Sequence, residues 1–276
     1  MKKLILTVLI VLPFLTFTSC NNDDDNTPIS GPSRTFQLNS VSNPDISGTA
    51  RFVSNDDGSV TIELRLLGTS AGEMHPAHVH YNSAIEGGGI AITLDSVDGS
   101  TGESSTTITQ LDDNTPVTYQ ELVTFDGHVN VHFSSTDLFT LVAQGDIGEN
   151  ELTGQDITYP LNEVGASGIS GNAIFSERVS GETLVTISLN GTVAGTVHTT
   201  HIHDGSVATS PGAIAITLNT VTGSSGLSLT NVDSLDDNTP ITYNELLTFD
   251  GYLNIHDDMD PMIIVAQGDI GQNYLN

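Results

Sequence analysis

The sequence predicts an all-β protein made of two tandem antiparallel β-sandwich domains, each with one short helical turn. Two observations lead to this prediction. Short runs of alternating apolar and polar residues recur along the chain, separated by turns rich in Asn, Asp and Gly. The second half of the chain also repeats the motifs of the first half, displaced by 124 residues from Ile90 to Ile214 and by 123 from Gln144 to Gln267.

Residues 1–20 have the organisation of a signal peptide. Lys2 and Lys3 precede an apolar run that leads to Cys20, the single cysteine of the chain. One thiol cannot form an internal disulfide, so its position at the end of the apolar run needs another explanation. The segment resembles the lipobox of a bacterial lipoprotein, which implies that Cys20 is lipidated and becomes the first mature residue. An ordinary secretory signal with an incidental cysteine is the alternative.

Residues 21–32 are polar and acidic, which predicts a solvated tether between the anchor and the first domain. An acidic run directly behind the lipidated cysteine resembles the export signals of Bacteroidetes surface lipoproteins. The resemblance implies an outer-membrane lipoprotein that faces the periplasm or the cell exterior. The membrane is therefore one expected partner, through the lipid anchor.

The charge of the chain excludes nucleic acid as a partner. Its 276 residues include 6 Lys+Arg and 34 Asp+Glu, for a formal net charge of -28. Removal of the signal leaves four cations, Arg34, Arg51, Arg65 and Arg178. So few cations cannot displace the counterions of a phosphate backbone.

The repeat places domain 1 at residues 33–155 and domain 2 at residues 156–276. Each copy has about seven alternating runs, a number typical of a β-sandwich. The segment Val60–Leu66, for example, is expected to turn one apolar face toward the core. Helical turns are expected at 118–121 and 242–245, because Thr followed three residues later by Glu forms a capping box.

Histidine is the residue type most suggestive of chemistry. In the segments 78–80 and 201–203, two histidines flank an apolar β-branched residue, so both rings point away from the core if the middle residue faces it. A later Asn-x-His run in each copy adds a third ring by the same parity. Neutral imidazole is a good ligand for copper or zinc. The candidate metal ligands occupy matching places in the two copies: His75, His78, His80, His132, His198, His201, His203 and His256.

Other interpretations of these residues stay open. The histidines also suit a structural or pH-sensitive polar cluster. Asp146 and Asp269 are candidates to orient a histidine ring, although an aspartate beside glycine also suits a turn. Acidic clusters at 55–58, 112–114, 236–238 and 257–260 offer oxygen ligands for Ca²⁺ but lack the spacing of an EF-hand, so solvated turns are the preferred interpretation.

Four motifs in each copy together resemble the CHRD domain, a family named for its occurrence in chordin. The motifs cover residues 75–80, 87–94, 125–132 and 142–147, and then 198–203, 213–218, 249–256 and 265–270. The resemblance extends over nearly the whole mature chain. It implies an immunoglobulin-like or superoxide-dismutase-like sandwich, an extracytoplasmic location and a setting of protein binding, without an established reaction.

The function expected from the sequence is a lipid-anchored binding module for an extracellular protein or polymer. The His-Val-His run and the later Asn-x-His run also resemble the copper-ligand layout of copper-zinc superoxide dismutases. That resemblance implies the alternative, a copper- or zinc-binding protein with dismutase-like redox chemistry. The chain departs from it because it has no disulfide, no histidine-rich zinc loop and no arginine after the last histidine. Whether the protein is an enzyme stays open, and no hydrolase motif is present.

Overall fold

The computed structural model describes residues 31–42 and 46–274. The predicted signal peptide, the lipidation site at Cys20 and all but the last two residues of the predicted tether lie outside the described residues. Among the residues that are described, no helix has the length and apolar character needed to cross a membrane.

The first half of the chain forms one closed antiparallel barrel, barrel 1. Its strands are β1 (Ser33–Ser40), β2 (Ser47–Ser54), β3 (Val60–Leu67), β4 (Met74–Tyr81), β5 (Ile90–Asp98), β6 (Glu103–Ile108), β7 (Asp126–Ser134) and β8 (Asp137–Gly148). Around the barrel they follow the order β1-β2-β3-β6-β5-β4-β7-β8. The short helix α1 (Tyr119–Leu122) lies between β6 and β7 in the chain.

The second half forms barrel 2 with the equivalent topology. Its strands are β9 (Leu152–Glu163), β10 (Ser170–Arg178), β11 (Thr183–Asn190), β12 (Val197–Asp204), β13 (Ile214–Thr222), β14 (Leu227–Val232), β15 (Asp250–His256) and β16 (Ile264–Gly271). The order around the barrel is β10-β11-β14-β13-β12-β15-β16-β9. A 3₁₀ turn at Val207–Thr209 and the helix α2 (Tyr243–Leu246) complete the unit.

The prediction of two β-sandwiches is wrong, because each unit is a closed barrel. In barrel 1 the closure comes from β1 and β8, which pair at Asn39 with Gln144 and at Ser40 with Ala143. The first and last strands are therefore joined through the end of β1, which closes the row of strands into a barrel. Alternation along a strand is the same in a sandwich and in a barrel, so the pattern could not show that strands about 100 residues apart are paired.

Each barrel has its own apolar core on the inward face of its strands. The predicted inward residues of β3, Val60, Ile62 and Leu64, have no exposed surface. The rings of Phe36 and Phe52 meet edge to face with centroids 5.1 Å apart. Full burial of such side chains contributes about 1.5–3 kcal/mol each. Val79 of β4 and Val129 of β7 belong to the same core cluster, so the core also fixes the inner face of these two strands.

The predicted capping boxes are present in both barrels. The Thr118 hydroxyl accepts the amide of Glu121, and the Glu121 carboxylate accepts the amide of Thr118 at 2.8 Å. Thr242 and Glu245 repeat both bonds at α2. These reciprocal bonds satisfy amides that the first turn of a helix leaves unpaired.

The two barrels are joined by a short segment that makes backbone bonds with barrel 2. β8 ends at Gly148 and β9 begins at Leu152. The amides of Val179 and Ser180 donate to the carbonyls of Glu151 and Glu149, each at 2.9 Å. The backbone of the connecting segment is therefore hydrogen-bonded to the turn that follows β10 of barrel 2.

Candidate metal centre

Three histidines from β4 and β7 meet on the outer side of barrel 1. The Nδ1 atom of His78 lies 3.1 Å from Nε2 of His132, and one ring nitrogen from each of His78, His80 and His132 lies within 4.8 Å of the others. The buried Val79 between the two β4 histidines confirms the predicted parity. Pairing of β4 with β7 supplies the third ring.

Barrel 2 repeats this cluster on β12 and β15. Nδ1 of His201 lies 3.1 Å from Nε2 of His256, and ring nitrogens of His201, His203 and His256 lie within 4.8 Å of one another. The same arrangement in two barrels with separate cores indicates that it follows from the shared sequence motifs. The structure thus brings six of the eight candidate ligands into two clusters of three.

β-Bulges lie at two of the three histidines in each cluster. The pairing register of barrel 1 shifts between Val79 and His80 and again at His132. Barrel 2 has the matching shifts between Ile202 and His203 and between Ile255 and His256. A bulge bends the strand and redirects its side chains, which is how two neighbouring strands can turn their histidines toward one point.

Backbone carbonyls determine which ring nitrogen carries a lone pair. His80 Nδ1 donates to the carbonyl of Gly88 at 2.9 Å, and His203 Nδ1 donates to that of Gly212 at 3.1 Å. His256 Nδ1 donates in the same way to Pro261 at 2.6 Å. Because a neutral imidazole has one N–H, these bonds leave Nε2 as the acceptor atom. The Nε2 atoms of His80 and His203 are buried and have no hydrogen-bond partner among the described residues.

Burial favours the neutral, ligating form of these rings. Loss of hydration lowers the pKa of His78 and His201 below the ordinary histidine value, and the neighbouring imidazoles add to this effect. Burial also lowers the pKa of His132 and His256. Burial therefore favours the deprotonated ring, which is the form that a metal would require.

The outer face that carries these histidines is partly shielded from solvent: His132, His203 and His256 are buried, and the other three cluster histidines are half-buried. The outer face of β7 is covered, and His128, Asn130 and His132 are 2%, 8% and 7% exposed. The covering chain is in part the loop of residues 82–89, since His128 Nδ1 donates to the carbonyl of Asn82 at 2.8 Å. Strand parity predicts which face a side chain takes, whereas loops distant in sequence determine whether that face meets solvent.

His75 and His198, the other two candidate ligands, lie outside the clusters. Both are buried. His75 Nδ1 donates to the carbonyl of His132 at 3.2 Å, and His198 Nδ1 donates to the carbonyl of His256 at 2.8 Å. The bonded carbonyls belong to the bulged histidines, His132 two residues before the end of β7 and His256 at the end of β15. His75 and His198 therefore position the backbone of a candidate ligand in each barrel.

A flat ring packs against the second histidine of the His-x-His run on β4 and on β12. His128 stacks on His80 with centroids 5.1 Å apart, and Tyr252 stacks on His203 at 5.2 Å. The two copies differ at these equivalent positions, and the sequence motifs assigned neither residue a role. The available signal was that both residues are planar rings two positions before the Asn of the Asn-x-His run.

Asp146 and Asp269 bind loops, and within the described residues neither carboxylate accepts a hydrogen bond from a histidine ring. Asp146 accepts the amide of Ala84 at 2.7 Å, and Asp269 accepts the amide of Val207 at 2.7 Å. Each aspartate thereby fixes the loop whose later glycine carbonyl receives the histidine Nδ1 proton. They act on the candidate site through the backbone of that loop.

The acidic clusters are used as turns. Carboxylates of Asp57, Asp113, Asp237 and Asp257 each accept the amide of the residue two positions ahead. Hydrogen bonds from the hydroxyl and the amide of that residue lower the pKa of Asp57, Asp113 and Asp237. The geometry agrees with the preferred interpretation of solvated turns.

Comparison of the chain with protein-family models, with curated proteins and with solved structures found no match. The resemblance to the CHRD family therefore stays a prediction from the motifs.

Proposed function

We propose that this protein is a lipid-anchored envelope protein that binds one copper or zinc ion in each barrel. The ligands in barrel 1 are His78, His80 and His132, and those in barrel 2 are His201, His203 and His256. The observation that carries the proposal is the buried Nε2 of His80 and of His203, which has a lone pair and no protein partner among the described residues. An unsatisfied buried polar atom costs about 1–3 kcal/mol. The unpaired Nε2 atom occurs in both barrels and lies near two further ring nitrogens each time. This arrangement favours a metal ion, which accepts lone pairs from the three nitrogens.

The donor set suits a borderline or soft transition metal. Three imidazole nitrogens are typical ligands of zinc and copper, whereas Ca²⁺ takes six to eight oxygen atoms. A metal held by three protein ligands keeps a position open for water or another ligand. The site can therefore take up and release an ion, or present it to a small molecule.

The charges around the clusters favour metal binding over dismutation of an anion such as superoxide. All four arginines of the mature chain are in ion pairs with carboxylates. The carboxylates of Asp112 and Asp236 act on His78 and His201 and raise their pKa, against the larger effect of burial. A strongly negative surface attracts cations and repels small anions.

Binding of an extracellular protein or polymer stays a prediction. The start of β8 exposes Leu138 and Phe139, and Phe139 is fully exposed. An exposed aromatic residue beside another apolar side chain favours docking of a partner. This second role is compatible with a bound metal.

The test is titration of the purified chain with Cu²⁺ and Zn²⁺, combined with thermal melts. We expect uptake of one ion per barrel and a rise in Tm, because a ligand at 100 times its Kd stabilises the folded state by about 2.7 kcal/mol. The double variant His80→Ala/His203→Ala should lose both the uptake and the rise. The matched control is Asp113→Asn/Asp237→Asn, which alters equivalent acidic turns and should keep both.

Two results would contradict the proposal. One is a wild-type chain whose Tm does not respond to either metal. The other is uptake that survives in the histidine variant and disappears in the aspartate control, which would place the ions at the acidic turns.

A further inference from the structure

The junction of the barrels contains a fully buried arginine. Arg178 lies at the end of β10 in barrel 2, and its side chain has no exposed surface. Its Nη1 donates to Asp146 Oδ2 of barrel 1 at 2.8 Å and to the carbonyl of Asn150, while Nε donates to Asn231 at 2.6 Å. A buried cation is costly unless it is paired, so these bonds fix the position of the Asp146 carboxylate.

The same carboxylate leads to the histidine cluster of barrel 1. Its other oxygen, Oδ1, accepts the amide of Ala84 in the loop of residues 82–89. Gly88 of this loop accepts the Nδ1 proton of His80, at 2.9 Å. Asn82 accepts the Nδ1 proton of His128, the ring stacked on His80. One loop therefore sets the orientation of His80 and of its stacked neighbour.

Barrel 2 has the same loop contact without the cation. Asp269 accepts the amide of Val207, and Gly212 of that loop accepts the Nδ1 proton of His203. Among the described residues no arginine pairs with Asp269, since the four arginines pair with Glu151, Glu63, Glu103 and Asp146. The repeat displacement of 123 places Asn55 at the position equivalent to Arg178. The bond from the arginine to the loop-binding aspartate is thus present in barrel 1 alone among the described residues.

We infer that Arg178 is a positioning residue through which barrel 2 pre-organises the metal site of barrel 1. The inference rests on the proposed function and adds a coupling between the barrels. Arg178 holds Asp146, Asp146 holds the 82–89 loop, and the loop holds the Nδ1 atom of His80. A ring held in its ligating orientation loses less entropy when a metal binds. Docking of barrel 2 therefore raises the metal affinity of barrel 1.

The experiment isolates each site in the full chain. In the background His203→Ala only barrel 1 keeps its three histidines, and in His80→Ala only barrel 2 does. Loss of a residue that orients a metal ligand costs 10- to 100-fold in affinity. Since Arg178 acts through two further groups, we expect Arg178→Met to weaken Cu²⁺ binding by about 3- to 10-fold in the His203→Ala background. In the His80→Ala background we expect no change.

Arg34→Met is the matched control. Arg34 also forms an ion pair at the junction, with Glu151, but it does not contact Asp146. It should leave Cu²⁺ affinity unchanged in both backgrounds. Equal weakening by Arg34→Met and Arg178→Met, or equal weakening of both sites by Arg178→Met, would show only general loosening and overturn the inference.

Amide hydrogen exchange of the metal-free wild-type chain gives a measurement that does not need a folded Arg178 variant. The Ala84 amide should exchange more slowly than the equivalent Val207 amide, because only the acceptor of Ala84 is held by a buried cation. Equal exchange of the two amides would overturn the coupling even if both barrels bind metal. Failure of His203→Ala to bind any metal would instead refute the proposed function.

Discussion

Single residues distinguish the two histidine clusters, although their ligand sets match. Barrel 1 stacks His128 on His80 where barrel 2 stacks Tyr252 on His203. The Tyr252 hydroxyl accepts the amide of Gly212 at 2.9 Å, so in barrel 2 the stacked ring itself supports the loop. The equivalent loops are thus held differently. In barrel 1 the support comes from Arg178 of the other barrel through Asp146, and in barrel 2 it comes from Tyr252 of the same barrel.

Replacement of His198 should damage the second cluster without removing a ligand. His198→Phe keeps a ring at a buried position but leaves the His256 carbonyl without its donor, which costs about 1–3 kcal/mol of stability. Metal affinity of barrel 2 should fall by about 10- to 100-fold, as expected for a residue that positions a ligand. Urea unfolding and Cu²⁺ titration in the His80→Ala background measure the two effects.

Thr196→Val is the control for this variant. It removes the Thr196 hydroxyl, which lies 3.1 Å from Nε2 of His198, and leaves the carbonyl bond intact. Metal affinity that falls as far in the control as in His198→Phe would show that the carbonyl bond does not position His256.

The stability of the metal-free protein should depend on pH because burial lowers the pKa of His78, His132, His201 and His256. In the unfolded chain histidine titrates near ~6.5. Below that pH the unfolded state binds protons that the folded state does not, so the free energy of unfolding should fall as pH drops toward the lower folded pKa values. Above pH ~6.5 these groups contribute no slope.

Urea midpoints at pH 8, 7, 6 and 5.5 test the sign, since most carboxylates stay ionised over that range. The variant His78→Gln/His201→Gln should show a shallower fall between pH 7 and 5.5. A midpoint that rises as the pH drops would contradict the assignment of neutral buried histidines.

At the scale of the strand, closure of each barrel depends on few backbone bonds. The amide of Val41 donates to the carbonyl of Val142 at 3.1 Å, beside the two paired residues of β1 and β8. Val164 makes the equivalent bond to Val265 at 3.0 Å. These bonds join the two edge strands of the sheet and close it into a barrel.

Proline at position 41 should open barrel 1 at this seam. Val41→Pro removes the amide donor, and the expected loss is about 1–3 kcal/mol because the carbonyl of Val142 loses its partner. Amides of β1 and β8 should then exchange faster, while those of barrel 2 do not change. Val41→Ala, which keeps the amide of a half-exposed side chain, should be close to wild type. Similar effects of the two variants would mean that the seam does not stabilise the barrel.

At the scale of the whole molecule, the barrels have separate cores but share polar contacts at their junction. Residues 33–155 expressed alone should fold cooperatively, because barrel 1 contains all eight strands of its own sheet. Its urea midpoint should lie below that of barrel 1 within the full chain, since Asp146 loses Arg178. Near-UV circular dichroism and amide exchange report folding. An unfolded fragment would show that the barrels depend on each other to fold.

The amino-acid sequence by itself determined the features that arise from near neighbours in the chain. Alternation from Val60 to Leu66 predicts an inward face, because successive side chains of a strand point to opposite sides. The capping box at Thr118 and Glu121 and the outward parity of His78 and His80 follow from spacings of two or three residues. The duplication also predicts that the second copy repeats the three-histidine set of the first.

Only the tertiary structure decided the features that depend on contacts between distant segments. Closure by β1 and β8, burial of the outer face of β7, and placement of His75 beneath the His132 carbonyl each join segments that no local pattern links. The bond from Arg178 to Asp146 joins two barrels. Alternation predicts which face of a strand a side chain takes. The partner strand and the loop that covers a face depend instead on the free energy of the complete packed chain, so these contacts are determined only in the fold.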